Sequence, residues 1–207
     1  MTQQRPLRFG ILGAGMIAGD EDGFLPNLTT LGDKVEITPV ADVVPEHAQR
    51  IAQRFGIDTV YESLDEMLRD DRVEAVANLT PISVHAETSM RILRSGRHLL
   101  SEKPLATTLE EADALIEEAE RQGVVFVCAP PDTLYAQYRE ARRLIDEDRI
   151  GQVCFARVRS SHGGPGGAPD GWPFDPTWFY QPGGGPLFDM GVYGIHEITS
   201  LLGPARR

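Results

Sequence analysis

The sequence lacks the residues that would support a disulfide framework or a metal centre. Its 207 residues include two cysteines, Cys128 and Cys154, and each lies within an apolar run. Their spacing fits no metal-ligand pattern, and two thiols cannot build the disulfide-dense scaffold of a small secreted domain. We therefore expect buried, reduced thiols, no metal and a cytoplasmic location.

A block of basic residues is also absent, and the net charge is −11. This charge argues against nucleic acid or an anionic membrane as the main partner. The N-terminus has no apolar run of the kind found in signal peptides, and no run is long enough to span a bilayer. With 41% hydrophobic and 25% charged residues, the composition is that of a globular protein of one large or two small domains.

A glycine-rich segment follows the first predicted buried strand, residues 7–12. Gly13 is expected to make a tight turn, Gly15 to let the backbone approach a pyrophosphate, and Ala18 to permit close packing of helix on strand. The N–H groups at the start of the helix would face the phosphates. The predicted dinucleotide site therefore includes Met16 and Ile17 as well. A glycine-rich turn without a ligand is the alternative.

An acid ends the second predicted strand, residues 35–41. Asp42 lies 24 positions after Ala18 (42 − 18), close to the spacing of the carboxylate that binds the adenosine ribose in dinucleotide-binding folds. Because Val43 and Val44 follow it, with no Arg or Ser to receive a 2′-phosphate, NAD is favoured over NADP. Asp42 could instead cap the helix that begins at Pro45.

Strand and helix patterns alternate through the first part of the chain. Further apolar runs predict strands over residues 73–79, 98–101 and 124–129, and two capping boxes, at Ser63 and Thr108, predict helix starts. Pro26 should kink or restart the first helix. This alternation predicts a doubly wound parallel sheet in a dinucleotide-binding domain, residues 1–130.

The pattern changes in the predicted second domain, residues 131–207. Helical spacing over residues 135–148 is followed by a two-residue alternation over 152–161, which predicts a strand with one buried face. A segment rich in Gly, Pro and aromatic residues, 162–185, could cover a site or fill the core. On a helical wheel, the last predicted helix, 187–202, places four polar residues opposite its apolar side: Asp189, Tyr193, His196 and Ser200. A solvated polar face is the alternative to a proton-transfer site.

One lysine follows directly after a predicted strand. Pro104 ends the strand over 98–101 and holds Lys103 in an extended conformation. Open α/β folds bind ligands at the carboxyl ends of their strands, so Lys103 is a candidate functional residue. A surface lysine at a strand end is the alternative.

Four motifs, taken in order, resemble the Gfo/Idh/MocA oxidoreductases, the family of glucose–fructose oxidoreductase and inositol dehydrogenase. They are Gly13-x-Gly15-x-x-Ala18, Thr80-Pro81 followed by His85, Glu102-Lys103-Pro104, and Gly183-Gly184-Gly185-x-x-x-Asp189-x-Gly191-x-Tyr193. The resemblance implies a Rossmann domain followed by an α/β domain with a large open sheet. It also implies NAD(P)-dependent oxidation or reduction of sugars, cyclitols or related diols.

The resemblance also implies roles for single residues. Lys103 would hold the reacting substrate oxygen and assist the proton shuttle, and Asp189 matches the acid on the last helix. Tyr193 stands where many relatives have histidine; a tyrosine there is similar to the glucose–fructose oxidoreductase branch, and it would pass the alcohol proton. Because a free tyrosine has a pKa of about 10, it would need a cation such as Lys103 nearby. Four residues would bind the cofactor at its nicotinamide end: Thr80, Pro81, His85 and Glu102, with Lys103 beside them.

The resemblance leaves three functional classes open. An oxidoreductase is favoured; an NAD-dependent glycoside hydrolase of the same family and an inactive nucleotide-binding fragment are the alternatives. The family continues with several more strands beyond the position of Arg207, so we expect the second domain to be incomplete. Relatives commonly pair through that open sheet, which implies a homo-oligomer for a full-length member.

Overall fold

The computed structural model describes residues 5–21, 23–164 and 176–205. The chain forms two compact units, Met1–Cys128 and Ala129–Arg207. Across the described residues, no helix has both the length and the apolar character needed to cross a bilayer.

The first unit is built on one parallel sheet of six strands. These are β1 (Leu7–Leu12), β2 (Val35–Ala41), β3 (Thr59–Tyr61), β4 (Ala75–Asn78), β5 (His98–Ser101) and β6 (Phe126–Cys128). Their order across the sheet is β3-β2-β1-β4-β5-β6. The predicted doubly wound sheet is confirmed, and its strand order reverses between β1 and β4.

In the described part of this unit, six α-helices cover both faces of the sheet. They are α1 (Met16–Gly19), α2 (Phe24–Thr29), α3 (Pro45–Phe55), α4 (Leu64–Arg69), α5 (His85–Arg94) and α6 (Leu109–Gln122). Successive side chains of a strand point to opposite faces, so Ile11 and Leu12 of β1 enter different cores. Ile11 packs in a cluster with residues of α1 to α3, and Leu12 packs in a cluster with residues of α4 to α6.

Local capping explains where several helices begin. Thr108 and Glu111 form the predicted reciprocal capping box of α6, which ends at Gly123 in the left-handed region, φ 66°. At α4, Ser63 accepts the Glu66 N–H as predicted, but the Glu66 carboxylate accepts the N–H of Glu62 instead. The predicted restart at Pro26 is confirmed, since Pro26 lies in the first turn of α2, where a missing N–H is tolerated.

The described part of the second unit contains two α-helices, α7 (Ala136–Asp146) and α8 (Val192–Leu202). The predicted strand over 152–161 is wrong, because the described part of this unit contains no strand. Ladder hydrogen bonds require a neighbouring strand, and alternation alone cannot supply one. The segment packs instead by side chains: a Cβ on Gly194 would lie 2.9 Å from Val158 Cγ1, while Phe155 is 81% exposed. Trp172 of the predicted covering segment lies outside the described residues.

The last helix departs from the wheel used to predict its faces. Residues Leu187–Gly191 form a π-helical turn that continues into α8. Leu187 is 65% exposed and Ile195 is 58% exposed, whereas Asp189 is buried. The wheel at 3.6 residues per turn therefore does not hold for Asp189, which lies in the π turn and is buried.

Candidate cofactor and catalytic site

The predicted functional segments of the first unit follow four neighbouring strands. Gly13 follows β1, Asp42 follows β2, Thr80 lies two residues beyond β4, and Lys103 lies two residues beyond β5. The strands are parallel and adjacent in the order β2-β1-β4-β5, so their carboxyl ends share one edge of the sheet. In doubly wound folds the crevice at the reversal of strand order binds ligands, and here it lies between β1 and β4.

The turn after β1 requires glycine at its first position. Gly13 has φ +93°, and a Cβ there would lie 2.7 Å from the Leu79 carbonyl oxygen. Gly15 differs, since a Cβ on it would meet no heavy atom within 4 Å. Ala18 is fully buried, which allows α1 to pack closely on the sheet. The loop is therefore fixed by Gly13 and leaves open space at Gly15. Met16 and Ile17, 41% and 44% exposed, begin the helix that follows.

Asp42 joins the glycine loop to the end of β2. Its Oδ2 accepts the Ala14 N–H at 2.7 Å, and its Oδ1 accepts the Val44 N–H at 2.8 Å. The alternative that Asp42 caps α3 is wrong, because Val44 is the N-cap residue and α3 has no side-chain cap. The carboxylate thus lies beside the turn where a dinucleotide would be expected.

A buried asparagine organises the loop after β4. Asn78 is fully buried, and its Nδ2 donates to Thr88 Oγ1 at 2.8 Å and to Ser89 Oγ at 2.9 Å. Its Oδ1 accepts the Thr80 hydroxyl at 2.8 Å. Sequence reasoning missed Asn78, although an amide at the end of an otherwise apolar strand marks the position. The network fixes Thr80 next to the exposed Pro81.

His85 begins the helix that follows β4, near the carboxyl ends of the strands, and is 1% exposed. Its Nδ1 is 3.1 Å from the Pro104 carbonyl oxygen, and its Nε2 is hydrogen-bonded to the Thr80 carbonyl oxygen. Burial of the ring lowers the pKa of His85, although the two carbonyl oxygens act in the opposite direction. Both ring nitrogens are thus engaged by backbone.

The segment after β5 brings Lys103 to the same edge. The Glu102 N–H donates to the Asn78 carbonyl oxygen at 3.0 Å, which extends the pairing of β5 with β4 by one residue. The Lys103 N–H donates to the Glu102 carboxylate at 2.7 Å, and the Lys103–Pro104 peptide bond is cis. Lys103 itself is half-buried.

In the second unit, the buried Asp189 is paired with a histidine that sequence reasoning missed. His162 Nδ1 accepts the Gly164 N–H at 2.8 Å, so the ring proton of the neutral imidazole lies on Nε2. That nitrogen donates to Asp189 Oδ2 at 2.6 Å. The pairing joins residues 27 positions apart, and the only local mark of His162 was its place at the end of the alternating segment.

Two other polar residues of α8 contact different partners. His196 Nε2 lies 3.3 Å from Thr133 Oγ1, and Glu197 accepts the Tyr138 hydroxyl at 2.5 Å. That hydrogen bond raises the pKa of Tyr138 to about 12. Tyr193 is half-buried in the turn after Asp189. Among residues 5–21, 23–164 and 176–205, no group of three or more His, Cys, Asp or Glu side chains could hold a metal ion.

Two family models match the chain. Residues 7–129 match an oxidoreductase family with the NAD-binding Rossmann fold, and residues 138–207 match the GFO/IDH/MocA C-terminal domain.

Individual proteins show the same similarity. The dTDP-3,4-didehydro-2,6-dideoxy-alpha-D-glucose 3-reductase of Actinomadura kijaniata is 33% identical over 96% of this chain and 57% of its own length. The solved structure of GenD2 from gentamicin A biosynthesis in complex with NAD has a TM-score of 0.85 and 27% identity, over 99% of this chain and 56% of GenD2. The solved structure of KijD10, a 3-ketoreductase from A. kijaniata in complex with NADP, has a TM-score of 0.74 and 28% identity, over 96% of this chain and 56% of KijD10. The chain thus spans just over half the length of these proteins.

Proposed function

The chain belongs to the Gfo/Idh/MocA oxidoreductase family, and from this premise we propose that it transfers a hydride between a nicotinamide dinucleotide and a small polyol. The reacting group is a hydroxyl or carbonyl of a sugar, a cyclitol or a related compound. The observation that supports this most strongly is the meeting of the glycine loop, Thr80-Pro81 and Lys103 at the carboxyl ends of adjacent strands. The sugar reductase and ketoreductase among the similar proteins support the same class of substrate.

The loop after β1 fits the diphosphate of such a cofactor. Gly13 makes the turn that only glycine allows, and the open space at Gly15 lets a phosphate approach the backbone. Met16, Ile17 and Ala18 would present the start of α1 to the phosphates. Thr80, Pro81 and Glu102 would lie at the nicotinamide end. When bound, the dinucleotide supplies or accepts the hydride.

Lys103, Asp189 and Tyr193 would do the remaining chemistry. We assign Lys103 to hold the reacting substrate oxygen, since an ammonium group stabilises the negative charge that develops there. Tyr193 would pass the alcohol proton, and Asp189 would act with it as the acid of the last helix. The His162 N–H donated to Asp189 Oδ2 at 2.6 Å fixes the orientation of this carboxylate.

We further propose NAD rather than NADP as the cofactor, because the Asp42 carboxylate is suited to accept ribose hydroxyl groups and would repel a 2′-phosphate. The similar proteins include both an NAD and an NADP complex, so the choice depends on this residue.

The Asp42→Asn variant tests this choice. It keeps the side-chain shape and an acceptor for the Ala14 N–H but removes the charge. We expect the wild-type chain to bind NADH more tightly than NADPH, and we expect the variant to reduce that preference about tenfold or more, since hydrogen bonds to a charged group contribute about 1.5–3 kcal/mol. Calorimetric titration with both cofactors measures it. Asp33→Asn, an exposed acid before β2, is the control. Tighter binding of NADPH by the wild type would overturn the assignment.

A cytoplasmic location is also part of the proposal. Neither Cys128 nor Cys154 forms a disulfide, but Cys128 is half-buried and Cys154 is exposed, so the expectation that both thiols are buried is wrong. Burial raises the pKa of Cys128 to about 12, which keeps that thiol protonated and unreactive. Reduced thiols of this kind suit a reducing compartment.

A further inference from the structure

We propose that His85 is a positioning residue that ties the loop after β4 to the loop after β5 and so fixes the backbone on both sides of Lys103. This inference rests on the proposed function for the importance of Lys103. It replaces the expectation that His85 contacts the cofactor.

The bridge is made by one buried ring. His85 begins α5, and its imidazole reaches back to the Thr80 carbonyl five positions earlier and forward to the Pro104 carbonyl 19 positions later. With 1% of the residue exposed, no side of the ring is open to solvent. A cofactor contact through either nitrogen would require one of these two contacts to break.

The bridge completes a set of contacts around Lys103. Before the lysine, the Glu102 N–H donates to the Asn78 carbonyl at 3.0 Å, and the Glu102 carbonyl accepts the Ser101 hydroxyl at 3.0 Å. On the other side of Lys103 in the sequence, the Pro104 carbonyl oxygen lies 3.1 Å from His85 Nδ1. Because Asn78 and His85 also hold Thr80, the two loops share their supports. Displacement of one loop would therefore displace the other.

A neutral His85 ring has one N–H group for the two carbonyl oxygens that it contacts. Both partners are carbonyl oxygens, which only accept hydrogen bonds, whereas a neutral imidazole has one N–H. Burial favours the neutral ring, so the ring donates a hydrogen bond to one of the two carbonyls and stays in contact with the other. An amide side chain of similar reach, with its NH₂ group, could also donate to one carbonyl. A glutamine at this position should therefore preserve part of the bridge, and a phenylalanine should preserve none of it.

Amide hydrogen exchange followed by NMR tests the inference on the full chain. In His85→Phe, we expect the Glu102 and Lys103 amides to exchange about tenfold faster or more, while the amides of β1 keep their wild-type protection. In His85→Gln, these two amides should exchange at rates between those of the wild type and of His85→Phe. This variant decides the question if the phenylalanine variant does not fold. The control is His98→Phe, because His98 lies at the amino end of β5, where its Nδ1 accepts the Val125 N–H. That variant should leave both amides unchanged.

Cofactor binding and turnover separate positioning from direct contact. If His85 positions Lys103, the NADH dissociation constant of His85→Gln stays within about threefold of the wild-type value. Its kcat falls about tenfold, because small misplacements of a catalytic group slow the reaction. Wild-type exchange at Glu102 and Lys103 in the His85 variants would overturn the inference. So would a large loss of NADH affinity with unchanged exchange, which would make His85 a cofactor contact. Failure of the wild type to bind NADH would contradict the proposed function alone, and the exchange result would still decide the role of His85.

Discussion

The Lys103→Met variant is expected to bind NADH like the wild type and to lose hydride transfer by about two to four orders of magnitude. Methionine keeps the length and the apolar stem of lysine but removes the ammonium group that would hold the reacting oxygen. A group that assists proton transfer contributes about 10²–10⁴-fold to the rate, so its loss should appear in kcat. The measurement is NAD-dependent turnover of whichever sugar or inositol, from a panel of hexoses and inositols, gives the highest wild-type rate.

The composition of the chain offers a matched control for this variant. The sequence has only two lysines, Lys34 and Lys103. Lys34 is exposed and lies directly before β2, at the opposite edge of the sheet from the glycine loop. Lys34→Met should therefore turn over at the wild-type rate. Turnover that survives in Lys103→Met would show that Lys103 has no catalytic role.

Asp189→Asn is expected to reduce kcat by about 10²-fold or more, with little change in NADH affinity. The substitution keeps the shape of the side chain, and its amide oxygen can still accept the His162 Nε2–H. What it removes is the negative charge and the ability to accept a proton. The readout is the pair of values, kcat and the NADH dissociation constant, measured on the same substrate.

Asp146→Asn serves as the comparison for this second variant. Asp146 is an exposed acid at the end of α7 in the same unit, paired with Arg142 in an i,i+4 ion pair. Exposed pairs of this kind contribute about 0–1 kcal/mol, so the change should leave turnover intact. Equal kcat in Asp189→Asn and the wild type would remove Asp189 from the mechanism and leave its pairing with His162 as a structural contact.

The sequence was sufficient to predict the first unit because its determinants are local. The apolar runs, the capping box at Thr108 and the turn at Gly13 each specify structure over a few residues, and each agrees with the fold. The positions of the candidate residues at the strand ends could be predicted for the same reason. The contact of His85 with Pro104 could not, because it spans 19 positions and depends on how two loops meet.

The second unit was harder to predict because its determinants are not local. The alternation over 152–161 specifies which side chains share a face, but a strand also needs a partner that no local pattern reveals. The pairing of Asp189 with His162 joins distant positions, and the π turn that buries Asp189 is not visible in a wheel at 3.6 residues per turn. The positions of the helices could be predicted there, but the π turn at Asp189 could not.

Titration of NADH into the chain tests the central claim most directly, because residues 7–129 match the family model of the NAD-binding Rossmann fold. Gly15→Val is the matched variant: a Cβ at that position meets nothing in the protein, so the fold should persist while the space for the diphosphate is filled. We predict one NADH per wild-type chain, with a dissociation constant below about 1 mM, and binding at least about tenfold weaker in the variant. A folded wild-type chain that binds no NADH, or equal binding by both chains, would contradict the account.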